Sequence, residues 1–277
     1  MTIKLYYQNI ESNFGDLLSK EIVEYVGADN VDWSPLKKAE LVALGSLGER
    51  IALKKFKRYF LCKLKPLHIW GTGFLSPGRK ISDRFVQIHA LRGLYSKDRF
   101  GISSSVALGD PGYLTPLIYK NLVLNSDSKN DKSILCLPHL HDGSSSEWID
   151  KIYNFFPNKK VISLNLSDSF KEIVTSIARA DCVVSTAMHP LIVAQSFGVP
   201  FVWVESGNNI HSGARYKFSD TFSVFKSVPE SILLEKLINN KISLSDLNKA
   251  MDSSLVPDHL ISTVQQDLIS SFPRKRK

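Results

Sequence analysis

Apolar and polar positions alternate most cleanly in the second half of the chain. Short apolar runs at Ile134 to Leu137, Val161 to Leu164, Cys182 to Val184 and Phe201 to Val204 are bounded by polar or turn residues and predict strands buried on both faces. Between the second and third runs, Phe170, Ile173, Val174, Ile177 and Ala178 recur at helical spacing, which predicts an amphipathic helix; Ser169 and Glu172 predict a capping box at its start. A further helical stretch, Leu191 to Phe197, is stopped by Gly198 and Pro200. The first half repeats the alternation, with runs at Ile3 to Gln8, Leu41 to Leu44, Leu67 to Trp70, Phe85 to His89 and Val106 to Leu108. Leu18, Ile22 and Val26 define a helix over Asp16 to Val26 with Gly27 as its stop.

Strand, helix and strand repeated at this length imply parallel pairing, so the chain is expected to be an α/β protein with two doubly wound, Rossmann-like parallel-sheet domains. The polar stretch Asn125 to Lys132 contains no large apolar residue and reads as a linker. This gives an N-terminal domain over 1–128 and a C-terminal domain over 129–277, with the last helix free to pack back on the first domain. Two such sheets facing one another form a cleft lined by the C-terminal ends of their strands, where the active site is expected.

Composition narrows the class. Of 277 residues, 43% are hydrophobic and 22% charged, as in an ordinary globular protein and unlike a disordered one. The three cysteines, Cys62, Cys136 and Cys182, lie far apart in apolar segments and read as buried thiols of a reducing compartment. The start of the chain turns polar too soon for a signal peptide, and no apolar run approaches the length of a membrane span, so a cytoplasmic protein is expected. The net charge of +8 concentrates in Lys54, Lys55, Lys57, Arg58, Lys63 and Lys65 and in the tail Arg274 to Lys277. Such clusters suit a phosphorylated substrate, an anionic membrane face or nucleic acid. No nucleic-acid-binding motif accompanies them, so nucleic acid is not an expected partner. Phe56, Tyr59 and Phe60 share helical spacing and read as helix core.

The residues able to do chemistry fall at predicted strand ends. His189, in Ser185-Thr186-Ala187-Met188-His189-Pro190, stands between a strand and a helix N-terminus, which pairs a proton-transferring group with an anion site. Asn13-Phe14-Gly15-Asp16 opens the first helix, where Gly15 permits a tight turn and Asp16 can cap the helix or meet a ligand. Trp70-Gly71-Thr72-Gly73-Phe74 lets backbone approach a ligand without having dinucleotide-fingerprint spacing, and Gly45-Ser46-Leu47-Gly48 reads the same way. Arg92 presents a planar fork suited to carboxylate or phosphate. Leu108-Gly109-Asp110-Pro111 makes a backbone corner. His139 and His141 lack third and fourth partners at zinc-ligand spacing, so no metal centre is expected.

In order along the chain, these segments, with Leu91-Arg92-Gly93, Leu137-Pro138-His139 and Gly198-Val199-Pro200, resemble the polysaccharide pyruvyl transferase family over residues 3–220. The resemblance implies a GT-B-like two-domain fold and phosphoenolpyruvate as donor. It also implies, as acceptor, a sugar of a surface polysaccharide or of its lipid-linked precursor. The product is a pyruvate ketal, phosphate is released, and no cofactor is needed beyond the co-substrate. Position by position, the arginine of the family's Arg-Gly pair falls on Arg92 and the histidine of its Ser-x-Arg-Leu-His segment on His189. The arginine of that segment is absent, its place being taken by Ala187, with Met188 after it; Lys217 or Arg215 are candidates to restore the charge.

The expected catalytic pair is therefore His189 and Arg92. Asn13, Gly15, Asp16, Thr72, Ser185, Thr186 and His139 join Arg92 around the donor, and Asp110, Glu205, His141 and Lys217 lie toward the acceptor. Asp16, Asp110 and Glu205 remain open as the base. A lipid-linked acceptor and the basic tail suggest contact with the cytoplasmic face of the inner membrane. Two other functions fit the same cleft: a nucleotide-sugar glycosyltransferase, for which Glu205 alone supplies an acidic residue after a second-domain strand, and a catalytically silent glycan- or anion-binding protein, which Ala187 would allow.

Overall fold

All five residues of Ser133–Leu137 and all four of Cys182–Ser185 are buried, as apolar strands must be when both faces of their sheet are covered. The computed structural model describes residues 2–8, 14–27, 30–53, 66–81, 86–120, 133–139, 147–206 and 214–273, except the side chains of residues 16 and 214. The first sheet contains β1 (Thr2–Tyr6), β2 (Asn30–Trp33), β3 (Leu41–Val42), β4 (Leu67–Trp70), β5 (Val86–Leu91) and β6 (Ala107–Leu108), in the order β2-β1-β3-β4-β5-β6. The second contains β7 (Ser133–Leu137), β8 (Lys160–Ser163), β9 (Cys182–Ser185), β10 (Phe201–Glu205) and β11 (Ser231–Leu233), in the order β11-β10-β9-β7-β8. Every pairing in both sheets is parallel.

The two orders are the same relative to chain direction. In each sheet the second strand lies on one side of the first and the third on the other, so the winding reverses between β1 and β3 and again between β7 and β9. At such a reversal the flanking helices diverge to opposite faces and leave a crevice beyond the strand ends. The protein has two of them, one per sheet.

Helix Met188–Ser196 joins the halves. Its sequence is apolar around the full circumference and residues Met188 and Pro190 to Gln195 are buried, as expected of a helix enclosed on all sides. Gln195 is its polar tie: Oε1 accepts from the Tyr113 hydroxyl at 2.7 Å and Nε2 donates to the Ser254 carbonyl at 2.7 Å. The last helix, Asp258–Ser271, crosses to the first sheet, where the Trp70 indole N–H donates to the Leu268 carbonyl at 2.9 Å and Gln265 Nε2 to the Tyr113 carbonyl at 2.8 Å. One apolar core consequently runs from Leu5 and Trp70 in the first sheet through Leu191 to Val183 and Phe201 in the second.

Some elements differ from the sequence reading. β2 and β11 were not anticipated: β2 buries Val31 alone, so its edge position leaves no apolar run to read. Ser169 is the N-cap of Phe170–Arg179 but makes no side-chain capping bond, so no capping box forms there; burial of Ile173, Val174 and Ile177 holds that helix. A capping box does form at Ser243 and Asp246, where Leu244–Ser254 begins. The 128/129 boundary, Cys62, the basic stretch 54–65 with its aromatic residues and the basic tail all lie outside the described residues. Cys136 and Cys182 are free and buried, and burial pushes the Cys136 thiol up to about 12. Among the described residues no helix is long and apolar enough to cross a membrane.

Candidate active site

Both crevices open into one cavity of about 390 Å³. Gln8, Phe14, Gly15 and the turn Leu44 to Leu47 wall it at the β1/β3 reversal. His139, Ala187, Met188, His189 and Pro190 wall it at the β7/β9 reversal, with Lys217 beside them. Glu49, Arg50, Leu75 and Ser76 complete the rim on the first-domain side.

His189 is the second residue of helix Met188–Ser196. Ala187, at the N-cap, has no side-chain oxygen to cap the first turn, which leaves the positive end of the helix dipole directed at the cavity. The imidazole lies flat against the start of helix Phe14–Gly27: a Cβ on Gly15 would overlap the ring, so this approach requires glycine. His189 Nε2 faces Oδ2 of Asp110 at 4.0 Å, outside hydrogen-bond range, and neither atom has a hydrogen-bond partner among the described residues. The other oxygen of Asp110 accepts from the Gly112 N–H at 2.9 Å, capping the turn Pro111–Leu114.

The two groups are shifted oppositely. Burial pushes the Asp110 carboxyl up to about 6, opposed by the Gly112 N–H and the Arg92 charge and assisted by Asp220. Burial pulls the His189 imidazole down to about 3, and Lys217, Arg92 and His139 add to it because each disfavours another positive charge nearby. At pH 7 the unliganded site therefore holds a neutral imidazole beside a largely ionised carboxylate.

Arg92 lies behind the cavity wall. Its side chain and that of Asp220 are both 0% exposed, with Nε to Oδ2 at 2.9 Å. Nη1 donates to Ser46 Oγ at 2.6 Å, and Nη2 donates to the Phe74 carbonyl. Asp220, on helix Ala214–Phe222 of the second half, also accepts from the Ser96 N–H at 2.8 Å and from the Ser96 hydroxyl, which tethers the start of helix Leu94–Arg99 across the interface. Gly93 makes room for this, since a Cβ there would collide with the Asp220 carbonyl. Arg92 reaches the cavity through Ser46: the hydroxyl that accepts from the guanidinium lines the wall, so its own hydrogen is directed elsewhere.

The other anticipated residues divide between wall and support. Gly15, His139 and Lys217 line the cavity. Thr72 is buried and holds the turn opposite, donating from Oγ1 to the Gly45 carbonyl at 2.7 Å and accepting from the Leu47 N–H at 3.2 Å. Thr186 Oγ1 accepts from the His139 N–H at 2.8 Å, tying the loop after β9 to the loop after β7, and Ser185 Oγ donates to the Leu137 carbonyl, joining the ends of the two strands. Glu205 lies off the cavity, with Oε2 accepting from Arg215 Nη1 at 2.6 Å and from Ser231 Oγ at 2.8 Å; Arg215 is thereby held away as well. Asn13, His141 and the Asp16 side chain fall outside the described residues. Arg50 and Asp220 were not singled out from sequence, and Ser46 entered only as part of the turn Gly45-Ser46-Leu47-Gly48, not for its side chain. Among the described residues, no group of three or more His, Cys, Asp or Glu side chains is arranged to hold a metal ion.

Comparison with known proteins adds three findings. An uncharacterized protein of Acanthamoeba polyphaga mimivirus is 28% identical over 217 residues, 73% of this chain and 70% of that protein. A family 9 glycosyl transferase of Veillonella parvula covers 97% of each chain at 12% identity, with a TM-score of 0.34. The model of the polysaccharide pyruvyl transferase family matches residues 7–208, a span that contains β2 through β10 and, among the described cavity residues, all but Lys217. The chain belongs to the polysaccharide pyruvyl transferase family.

Proposed function

We propose that the enzyme takes pyruvate from phosphoenolpyruvate and bridges two hydroxyls of a sugar with it, forming a ketal and releasing phosphate. The observation that carries this reading is the His189–Asp110 pair at 4.0 Å, its two facing atoms unsatisfied, beside a cavity lined by Lys217 and a helix N-terminus. The reaction needs an anion site and a group that delivers a proton to carbon.

Phosphoenolpyruvate carries its negative charge on a phosphate and a carboxylate. Bound in the cavity, it would offset the positive field of Lys217 and His139 that helps hold His189 neutral, and so raise the proton affinity of the imidazole. His189 then protonates the methylene carbon, C2 develops positive charge, and the first sugar hydroxyl adds there, its proton returning to the imidazole. Cleavage of the C2–O bond expels phosphate, and the second hydroxyl closes the ketal as its proton leaves with the phosphate. Asp110 is fully buried behind His189, which suits it to hold the imidazolium while charge is present rather than to touch the acceptor. Arg92 acts on the reaction through Ser46 and through the domain interface rather than by direct contact with the donor. The acceptor is a sugar of a surface polysaccharide or its lipid-linked precursor, and the basic tail would favour meeting a lipid-linked one at an anionic membrane face.

The test is incubation of the purified protein with phosphoenolpyruvate and a panel of galactosides and glucosides. Phosphate release matched one for one by pyruvate gained on the sugar is expected. Consumption of a nucleotide sugar in place of phosphoenolpyruvate would overturn the reading.

A further inference from the structure

Resting on the donor assigned above, we infer that Arg50 binds the carboxylate of phosphoenolpyruvate and takes over the charge missing at Ala187. Arg50 lies on the first-domain rim of the cavity, and its side chain is exposed to it. The guanidinium has five N–H donors, of which Nη1 alone is engaged among the described residues, with the Tyr6 hydroxyl at 3.1 Å. Tyr6 ends β1 and is 7% exposed, so it fixes one corner of the fork while the other donors remain available to the cavity.

Among the described residues no carboxylate pairs with Arg50. Its neighbour Glu49 also lines the rim, but Glu49 Oε1 pairs with Arg99 Nη1 at 2.7 Å, and both its oxygens accept from the Leu75 N–H at 3.1 Å. Lys217, from the second domain, is the other Lys or Arg lining the cavity among the described residues, and of the charges that lower His189 its effect is the largest. A planar fork on one wall and a point charge with a helix N-terminus on the other match the two ends of the donor: carboxylate on Arg50, phosphate on Lys217 and the start of Met188–Ser196. Arg92, the arginine that the resemblance to the family favours for this task, has all three guanidinium nitrogens engaged by Asp220, Ser46 and Phe74.

Calorimetric titration of wild type, Arg50→Gln and Lys217→Gln with phosphoenolpyruvate, oxalate and inorganic phosphate separates the two ends without needing the acceptor. Arg50→Gln should weaken phosphoenolpyruvate and oxalate at least tenfold and leave inorganic phosphate within about twofold, which also certifies an intact fold; Lys217→Gln should show the converse. Arg50→Lys should restore part of the oxalate affinity, since it returns charge without the fork. Unchanged phosphoenolpyruvate affinity in Arg50→Gln, or loss of phosphate affinity in parallel with it, overturns the carboxylate assignment while leaving the donor intact. Failure of wild type itself to bind phosphoenolpyruvate removes the donor reading and this one with it.

Discussion

Two aspartates meet two basic side chains at the domain interface, and they do so in opposite ways. Asp220 and Arg92 are closed at 2.9 Å, wholly buried, with every nitrogen of the guanidinium bonded and both oxygens of the carboxylate engaged. Asp110 and His189 stand at 4.0 Å with their facing atoms unsatisfied, one of them on the cavity wall. A satisfied buried pair fixes geometry, because any movement leaves an uncompensated charge. An open pair retains interaction energy that becomes available when a ligand or a proton arrives. The first pair holds the halves at a fixed spacing; the second uses that spacing.

The largest effect should come from opening the contrast at its reactive end. His189→Gln keeps size and a polar head but cannot exchange a proton near neutral pH, so pyruvyl transfer should fall about 10²–10⁴-fold, equivalent to about 3–5 kcal/mol of barrier. Steady-state phosphate release measures it, with thermal unfolding as the control. A melting temperature close to wild type with lost turnover places the histidine in the chemistry; turnover within threefold would sink the assignment.

Breaking the closed pair should instead damage the fold. Asp220→Ala strands a buried guanidinium and removes the acceptor for Ser96, at a cost of about 3–5 kcal/mol in stability. Chemical denaturation reads this directly. An Arg92→Met, Asp220→Leu double variant should recover much of the loss, because a pair of apolar side chains leaves no charge unpaired. If the double variant recovers stability but stays inactive, Arg92 also matters through Ser46.

Most of the scaffold was legible because it rests on continuous apolar runs. β4, β7, β9 and β10 coincide closely with the runs that predict them, and Gly198 does end its helix, at φ +70°. β2 was hidden because an edge strand burying one residue has no periodicity to display. The cavity was only partly legible. His189, His139 and Gly15 announce themselves at strand or helix ends, where crevice residues must come from, whereas Asp220 sits inside a helix at a sequence position where an aspartate ordinarily faces water. Arg50 carries no signal in the sequence, and only the fold shows that it borders the cavity. Arg92 was legible as important but not as to how, since the sequence could not reveal that an aspartate 128 residues away would occupy it.

The smallest change tests whether the open pair is open for a reason. Folding raises the Asp110 carboxyl from 3.8 to about 6, so its contribution to stability is fully present below pH 4 and is lost as pH rises through 6. At neutral pH the native state therefore carries an ionised carboxylate that burial disfavours, and Asp110→Asn should stabilise the protein by up to about 3 kcal/mol above pH 6 while changing little below pH 4. His189 runs the other way: folding lowers it from 6.5 to about 3, so its contribution is present above 6.5 and lost as pH falls toward 3, equally in both proteins. The difference between Asp110→Asn and wild type, measured by denaturant unfolding at pH 4, 5, 6 and 7, thus isolates the aspartate. The same variant should lower turnover at least tenfold, because the amide cannot balance an imidazolium. Gain of stability with loss of activity is the mark of a carboxylate kept for chemistry at structural cost; a destabilised Asp110→Asn would mean that Asp110, like Asp220, is there to hold the fold.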